Sequence, residues 1–181
     1  MKDFIYPEMM VHVPLCTHKD PKNILIISND ASKLRMEVAR HEEMSATTVT
    51  AVMDNLRNAK DASFDVILSE LDLDAAGIAH LARVLNDEGL LVTKHPSLDD
   101  VQTNTMFMQI LANYFKIIMP YHLENGETLL LASKAYHPTA DIILHRADML
   151  EGLEYYNSDI HPASFAMGNY IRKAYLGVTK N

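Results

Sequence analysis

The sequence predicts an α/β protein: a mostly parallel sheet that ends in a C-terminal antiparallel hairpin. Three observations carry this. Short apolar runs alternate with stretches of helical spacing from residue 23 to about residue 114, the pattern of strands joined by crossover helices. Two further apolar runs, 116–119 and 128–132, flank an Asn125-Gly126 turn signal. A chain of 181 residues, 48% of them hydrophobic, holds enough apolar side chains for a sizeable core.

The first strand is Asn23-Ile-Leu-Ile-Ile, which follows the turn-like Asp20-Pro21-Lys22 and is apolar enough to be buried on both faces. Residues 32–42 carry Leu34, Val38 and Ala39 at helical spacing. Residues 47–52 are β-branched and predict a strand, and 64–69 predict a second buried one. Residues 75–85 place Ile78, Leu81 and Leu85 on one helical face; Asn86-Asp87-Glu88-Gly89 is read as the stop, and 90–93 as the next strand. After Pro96, Ser97-Leu98-Asp99-Asp100 puts acids in the first turn of a helix expected to run to about Tyr114. The tail from Met149 has Phe165, Met167 and Ile171 at helical spacing and a basic end at Arg172 and Lys173. The chain is therefore read as one domain over 1–181, with a lead-in segment over 1–20 and a helical tail over 150–181.

Composition removes several function classes. The formal charge is −8 with no basic cluster, so neither nucleic acid nor an anionic membrane is expected as a partner. No apolar run approaches the roughly 20 residues that span a bilayer, and the start Met-Lys-Asp-Phe-Ile-Tyr lacks a secretory apolar region. Cys16 is the single cysteine, so no internal disulfide and no Cys-based zinc site can form; a reducing, cytoplasmic setting is expected. The nine histidines contain no His-x-x-x-His pair, so no metal site is expected either.

Ligands of open α/β sheets bind at the carboxyl ends of the strands. After the first strand comes Ser28-Asn29-Asp30-Ala31-Ser32-Lys33, without the glycines that a dinucleotide-cradling loop uses. After the second stands Asp54, either a ribose-binding carboxylate or a helix-capping, solvated acid. After the third lie Glu70, Asp72 and Asp74, three acids in five residues. They form either an amine or cation site or a loop with a helix N-cap.

The stretch Glu154-Tyr155-Tyr156-Asn157-Ser158-Asp159-Ile160-His161, followed by Ala163-Ser164-Phe165 and Ile171-Arg172-Lys173-Ala174, resembles the C-terminal signature of spermidine synthases, the polyamine aminopropyltransferases. The opening Asp3-Phe4-Ile5-Tyr6-Pro7-Glu8-Met9-Met10, then His12-Val13-Pro14-Leu15 and residues 18–27, resembles the family's passage into its first nucleotide-fold strand. Residues 37–42 and 64–67 are similar to its next helix and a later strand.

This resemblance implies a Rossmann-like methyltransferase fold, here without the family's small N-terminal β domain. It implies aminopropyl transfer from decarboxylated S-adenosylmethionine, a co-substrate and not a tightly bound cofactor, to putrescine or a similar diamine. Spermidine and methylthioadenosine are the products. A homodimer is expected, and the aromatic anchors Tyr155, Tyr156 and Phe165 can dock the last helix on the sheet or across the dimer interface.

By position, Tyr6 falls at the family's substrate-site tyrosine and Glu70 at its catalytic aspartate. Asp72 or Asp74 lies near the second amine-binding acid, and Tyr121 stands in for a tyrosine of a late loop. On the co-substrate side Asp54 is at or beside a ribose-binding glutamate, and Asp30 is the one acid left where the family has a glycine-rich loop. Two departures stand out. Nine residues separate Asp54 from Phe64 where the family has a helix, a strand and an adenine-contacting turn, and Lys94 replaces a glutamine beside the amine site. The alternative is a non-catalytic relative whose altered pocket serves binding or interaction.

Overall fold

The computed structural model describes residues 2–181. In chain order the elements are α1 (Ile5–Leu15), β1 (Asn23–Ile27), α2 (Ser32–Val38), β2 (Ser45–Val49), α3 (Met53–Arg57), β3 (Phe64–Ser69), α4 (Ala75–Val84), β4 (Leu85–His95), α5 (Val101–Leu111), β5 (Ile117–His122), β6 (Thr128–Ser133), α6 (Leu144–Asp148), α7 (Ile160–Ala163) and α8 (Asn169–Ala174).

The six strands form one sheet in the order β2-β1-β3-β4-β6-β5. The pairs β1/β2, β1/β3 and β3/β4 are parallel, whereas β4/β6 and β5/β6 are antiparallel. The α/β architecture expected from the alternating runs is thus the one observed. The hairpin reverses at Asn125-Gly126, where Gly126 takes φ +89°, a conformation glycine adopts without penalty.

Helices cover both faces of the central strands, which explains their continuous apolar character. Because successive side chains alternate, Ile24, Ile26, Val66, Leu68, Leu90 and Val92 join a core with α1 and α2. Leu25, Ile27, Ile67 and Leu91 join a second core with α4 and α5 on the other face.

Two local expectations are corrected, and the lead-in, for which the sequence reading named no element, acquires one. The lead-in is a helix: every residue of α1 except Tyr6 is buried, and a helix apolar all round belongs inside. Pro7 fits its first turn, where no amide hydrogen is needed. Residues 86–89 are extended rather than a turn, because Leu85 already pairs with Phe64 and Asn86 donates to Asp65; a register shift between Phe64 and Val66 absorbs the early start. The helix expected over 97–114 is shorter, beginning after Asp100, whose carboxylate accepts the Thr103 amide at 3.2 Å.

The tail consists of short helices and not one long one, and it is tied to both cores. Both oxygens of the buried Glu8 carboxylate serve as acceptors for the backbone amides of Glu154, Tyr155 and Tyr156, at 2.9, 2.9 and 2.8 Å. The Tyr156 hydroxyl lies 2.7 Å from His161 Nδ1, and Asn157 caps α7 through the amides of Asp159 and Ile160. Farther on, Tyr175 reaches the second core, donating to Leu98 O at 2.7 Å and accepting from Asn104. The two stretches of sequence that carry the family resemblance therefore meet in space.

Cys16 is buried and unpaired, and burial pushes its thiol up to about 11, which keeps it protonated at neutral pH. No helix among the described residues is long and apolar enough to cross a membrane. Nor do those residues hold a group of three or more His, Cys, Asp or Glu side chains placed for a metal ion.

Candidate functional site

The carboxyl ends of β1, β3 and β4 lie side by side, and each contributes a polar group there. The ladder continues one residue beyond β1 and β3: the Ser28 amide donates to Val49 O at 3.1 Å and the Glu70 amide to Ile27 O at 2.8 Å. This sets Ser28 and Glu70 next to each other, and the Ser28 hydroxyl donates to Glu70 Oε2. From α1 above them, Tyr6 donates its hydroxyl to Glu70 Oε1 at 2.8 Å. Lys94, near the end of β4, brings its Nζ within 3.6 Å of the same Oε1 and lies 5.3 Å from the centre of the Tyr6 ring.

Glu70 is thus held by two hydroxyls and faced by an ammonium. Burial, followed by the Glu70 charge and its hydrogen bond, raises the Tyr6 phenol well above its ordinary pKa, so Tyr6 acts as a neutral donor. Tyr6, Glu70 and Lys94 open onto a cleft of about 480 Å³, also lined by Pro7, Leu34 and Glu127. That is within the range of about 300–1,000 Å³ typical of small-molecule sites. At the rim, Lys33 pairs with Asp3 at 2.7 Å, and Lys2 pairs with Glu124. The hydrogen bond from Lys33 holds the Asp3 carboxyl below its usual pKa, and those from Ser32 do the same for Asp30.

Of the residues singled out in the sequence, Tyr6, Asp30 and Glu70 share this cleft. The others lie elsewhere for identifiable reasons. Asp74 caps α4, accepting the Gly77 amide at 2.7 Å, and α4 covers the face of the sheet opposite to α1, so the chain through exposed Asp72 leads away from the cleft. The N-cap reading is the one that describes Asp74. Tyr121 is wholly buried beneath α1, donating to Met9 O at 3.2 Å with its ring 4.9 Å from that of Phe165. Asp54 lies in the first turn of α3, 73% exposed and paired with Arg57 at 3.0 Å.

Two residues that shape the surroundings of the site drew no role from the sequence. Ser28 is detectable only as the first position after an apolar strand, and Glu8 as an acid inside an apolar stretch.

The turn from β1 into α2 closes without glycines. No residue of the turn from β1 into α2 occupies the left-handed region, so 28–33 close it with ordinary side chains. The Asp30 amide is satisfied by the Ser28 hydroxyl at 3.0 Å. β2 is an edge strand with an exposed surface, and only α3 intervenes before β3.

Comparison with known proteins agrees with this architecture. A family described as the spermine/spermidine synthase domain matches residues 3–55. The polyamine aminopropyltransferase of Helicobacter pylori strain P12 is 23% identical over 206 aligned residues, covering 96% of this chain and 78% of that protein. The polyamine aminopropyltransferase of Klebsiella pneumoniae is 26% identical over 230 residues, covering 95% and 78% respectively. Both alignments are longer than this chain, so the relatives contain insertions relative to it.

Among solved structures, spermidine synthase from Thermotoga maritima superposes with a TM-score of 0.85 at 23% identity, covering 98% of this chain and 75% of that one. A spermidine synthase in complex with the transition-state analogue AdoDATO gives 0.83 at 21% identity, covering 98% and 76%. In sequence this chain is similar to the polyamine aminopropyltransferases at low identity, and in fold it is similar to spermidine synthases.

Proposed function

We propose that the chain transfers an aminopropyl group from decarboxylated S-adenosylmethionine to an amine acceptor of the putrescine class, with Glu70 at the reacting amine. The observation that carries this is the fixed carboxylate at the ends of β1 and β3, held by Ser28 and Tyr6 inside a small-molecule cleft. In the reaction the acceptor, bound as an ammonium, first gives a proton to solvent by way of Glu70, and its neutral nitrogen then forms a bond to the methylene carbon next to the sulfonium. The C–S bond breaks with its electron pair going to sulfur, and methylthioadenosine leaves uncharged. The new secondary ammonium then loses a proton, which Glu70 accepts or passes to solvent. Tyr6 orients the carboxylate, and Asp30 stands on the co-substrate side of the cleft. A homodimer in the cytoplasm completes the proposal; buried, unpaired Cys16 suits a reducing compartment.

A second reading, a non-catalytic binding relative, draws on the co-substrate side. There Asp54 turns to Arg57 and no strand follows β2 before β3. Titrating the chain calorimetrically with decarboxylated S-adenosylmethionine, with and without putrescine, separates the two when methylthioadenosine release is followed in the same mixtures. Saturable binding with repeated turnover supports transfer. Absence of binding at millimolar ligand overturns it in favour of the second reading.

The placement of Tyr121 makes its own prediction. Tyr121→Phe should cost about 1 kcal/mol of stability, the typical value of one hydrogen bond, and leave binding and turnover within twofold. A tenfold loss of turnover with unchanged melting would put its phenol in the site instead.

A further inference from the structure

We propose that Lys94 makes this cleft selective for an amine that also carries a carboxylate, an α,ω-diamino acid, over an unsubstituted diamine. The inference rests on reading the cleft as an amine site.

Three lysines line the cleft, and they are not equivalent. Lys33 is engaged with Asp3 at 2.7 Å, and Lys2 with Glu124. Lys94 faces Glu70, whose oxygens already have hydroxyl donors in Ser28 and Tyr6. Its 3.6 Å separation is longer than the roughly 2.7–2.9 Å of a tight charge-assisted bond. The Lys94 side chain is 58% exposed, while that of Glu70 is only 18% exposed. The carboxylate is therefore the fixed partner and the ammonium the movable one, and Glu70 stays hydrogen-bonded when Lys94 swings away.

An incoming diamine presents only cations. Its amine reaches Glu70 Oε1 against the like charge of Lys94, which stands at that same oxygen. A diamine bearing a carboxylate offers Lys94 a new partner. The ammonium turns to the ligand's carboxylate, Glu70 is released to the ligand's amine, and one loose internal pair is exchanged for two pairs with the ligand. The Tyr6 ring beneath Lys94 keeps the ammonium within the cleft during this exchange. Glu127, which also lines the cleft and accepts from Asn125 Nδ2 at 2.6 Å, is a further carboxylate for the ligand's second amine.

The test is calorimetric binding of putrescine and ornithine, which differ by an α-carboxylate, to the intact chain and to Lys94→Gln and Lys94→Arg. The wild-type chain is expected to bind ornithine at least about tenfold more tightly. Lys94→Gln should abolish or reverse that preference by weakening ornithine and strengthening putrescine, while Lys94→Arg keeps it. With more than half of the side chain in solvent, Lys94→Gln should melt close to wild type. Wild-type preference for putrescine, or a preference that Lys94→Gln leaves unchanged, overturns the role of Lys94 while leaving the amine site standing. If neither amine binds any of the three chains, both this inference and the amine-site reading fail.

Discussion

Glu70→Gln is expected to lower aminopropyl transfer by about 100- to 10,000-fold, the range lost when a positioned acid–base group is removed, with little change in stability. Glutamine keeps the shape of the side chain and can still accept from the Tyr6 hydroxyl, while the Ser28 hydroxyl can rotate to meet an amide. The negative charge is what disappears. It attracts the acceptor's ammonium in the resting complex and receives or relays the proton released after the C–N bond forms. Rates of methylthioadenosine release with saturating acceptor, set beside thermal melts of both proteins, make the comparison. Turnover within threefold of wild type would remove Glu70 from the mechanism, and a fall in activity matched by a large fall in melting temperature would make its role structural.

The largest effect on stability is expected at Glu8. Glu8→Ala should cost about 3–5 kcal/mol, because hydrogen bonds to a charged group contribute about 1.5–3 kcal/mol each and this carboxylate satisfies three backbone amides, the buried one of Tyr156 and the part-buried ones of Glu154 and Tyr155. The segment around Tyr156 is anchored to α1 at this point, so its release also loosens Tyr156 from His12 and His161. At about 2–4 °C per kcal/mol for a chain of this size, the melting temperature should fall by roughly 10 °C. Urea unfolding of the variant checks this, and a loss below about 1 kcal/mol would show that the amides find other partners. Tyr6 lies two residues away on the same helix, so a partial loss of amine binding should accompany the destabilisation.

Both predictions concern acids in the sequence, yet only one was legible there. Glu70 follows an apolar strand in an α/β pattern, and the carboxyl ends of such strands face the ligand crevice. Glu8 sits in an apolar helix, where nothing local says that three amides some 146 to 148 residues later will converge on it. Asp72 and Asp74 show the opposite case. They are as close to the strand end in sequence as a site would require, but the chain has by then turned towards α4 on the other face. Tyr121 occupies a strand position whose side chain alternation points into the core under α1, which its neighbours in sequence do not reveal.

By itself the sequence determined the alternation of strands and helices, the hairpin at Asn125-Gly126 and the position of Glu70 beyond a buried strand. These depend on period, turn chemistry and burial within a few residues. Tertiary structure alone decided that the first helix lies in the core, that β4 begins at Leu85, and that Ser28, Tyr6 and Lys94 converge on one carboxylate. The reason is that the face and partners of a side chain are set by which layers pack against each other, and those contacts join residues tens to more than a hundred positions apart.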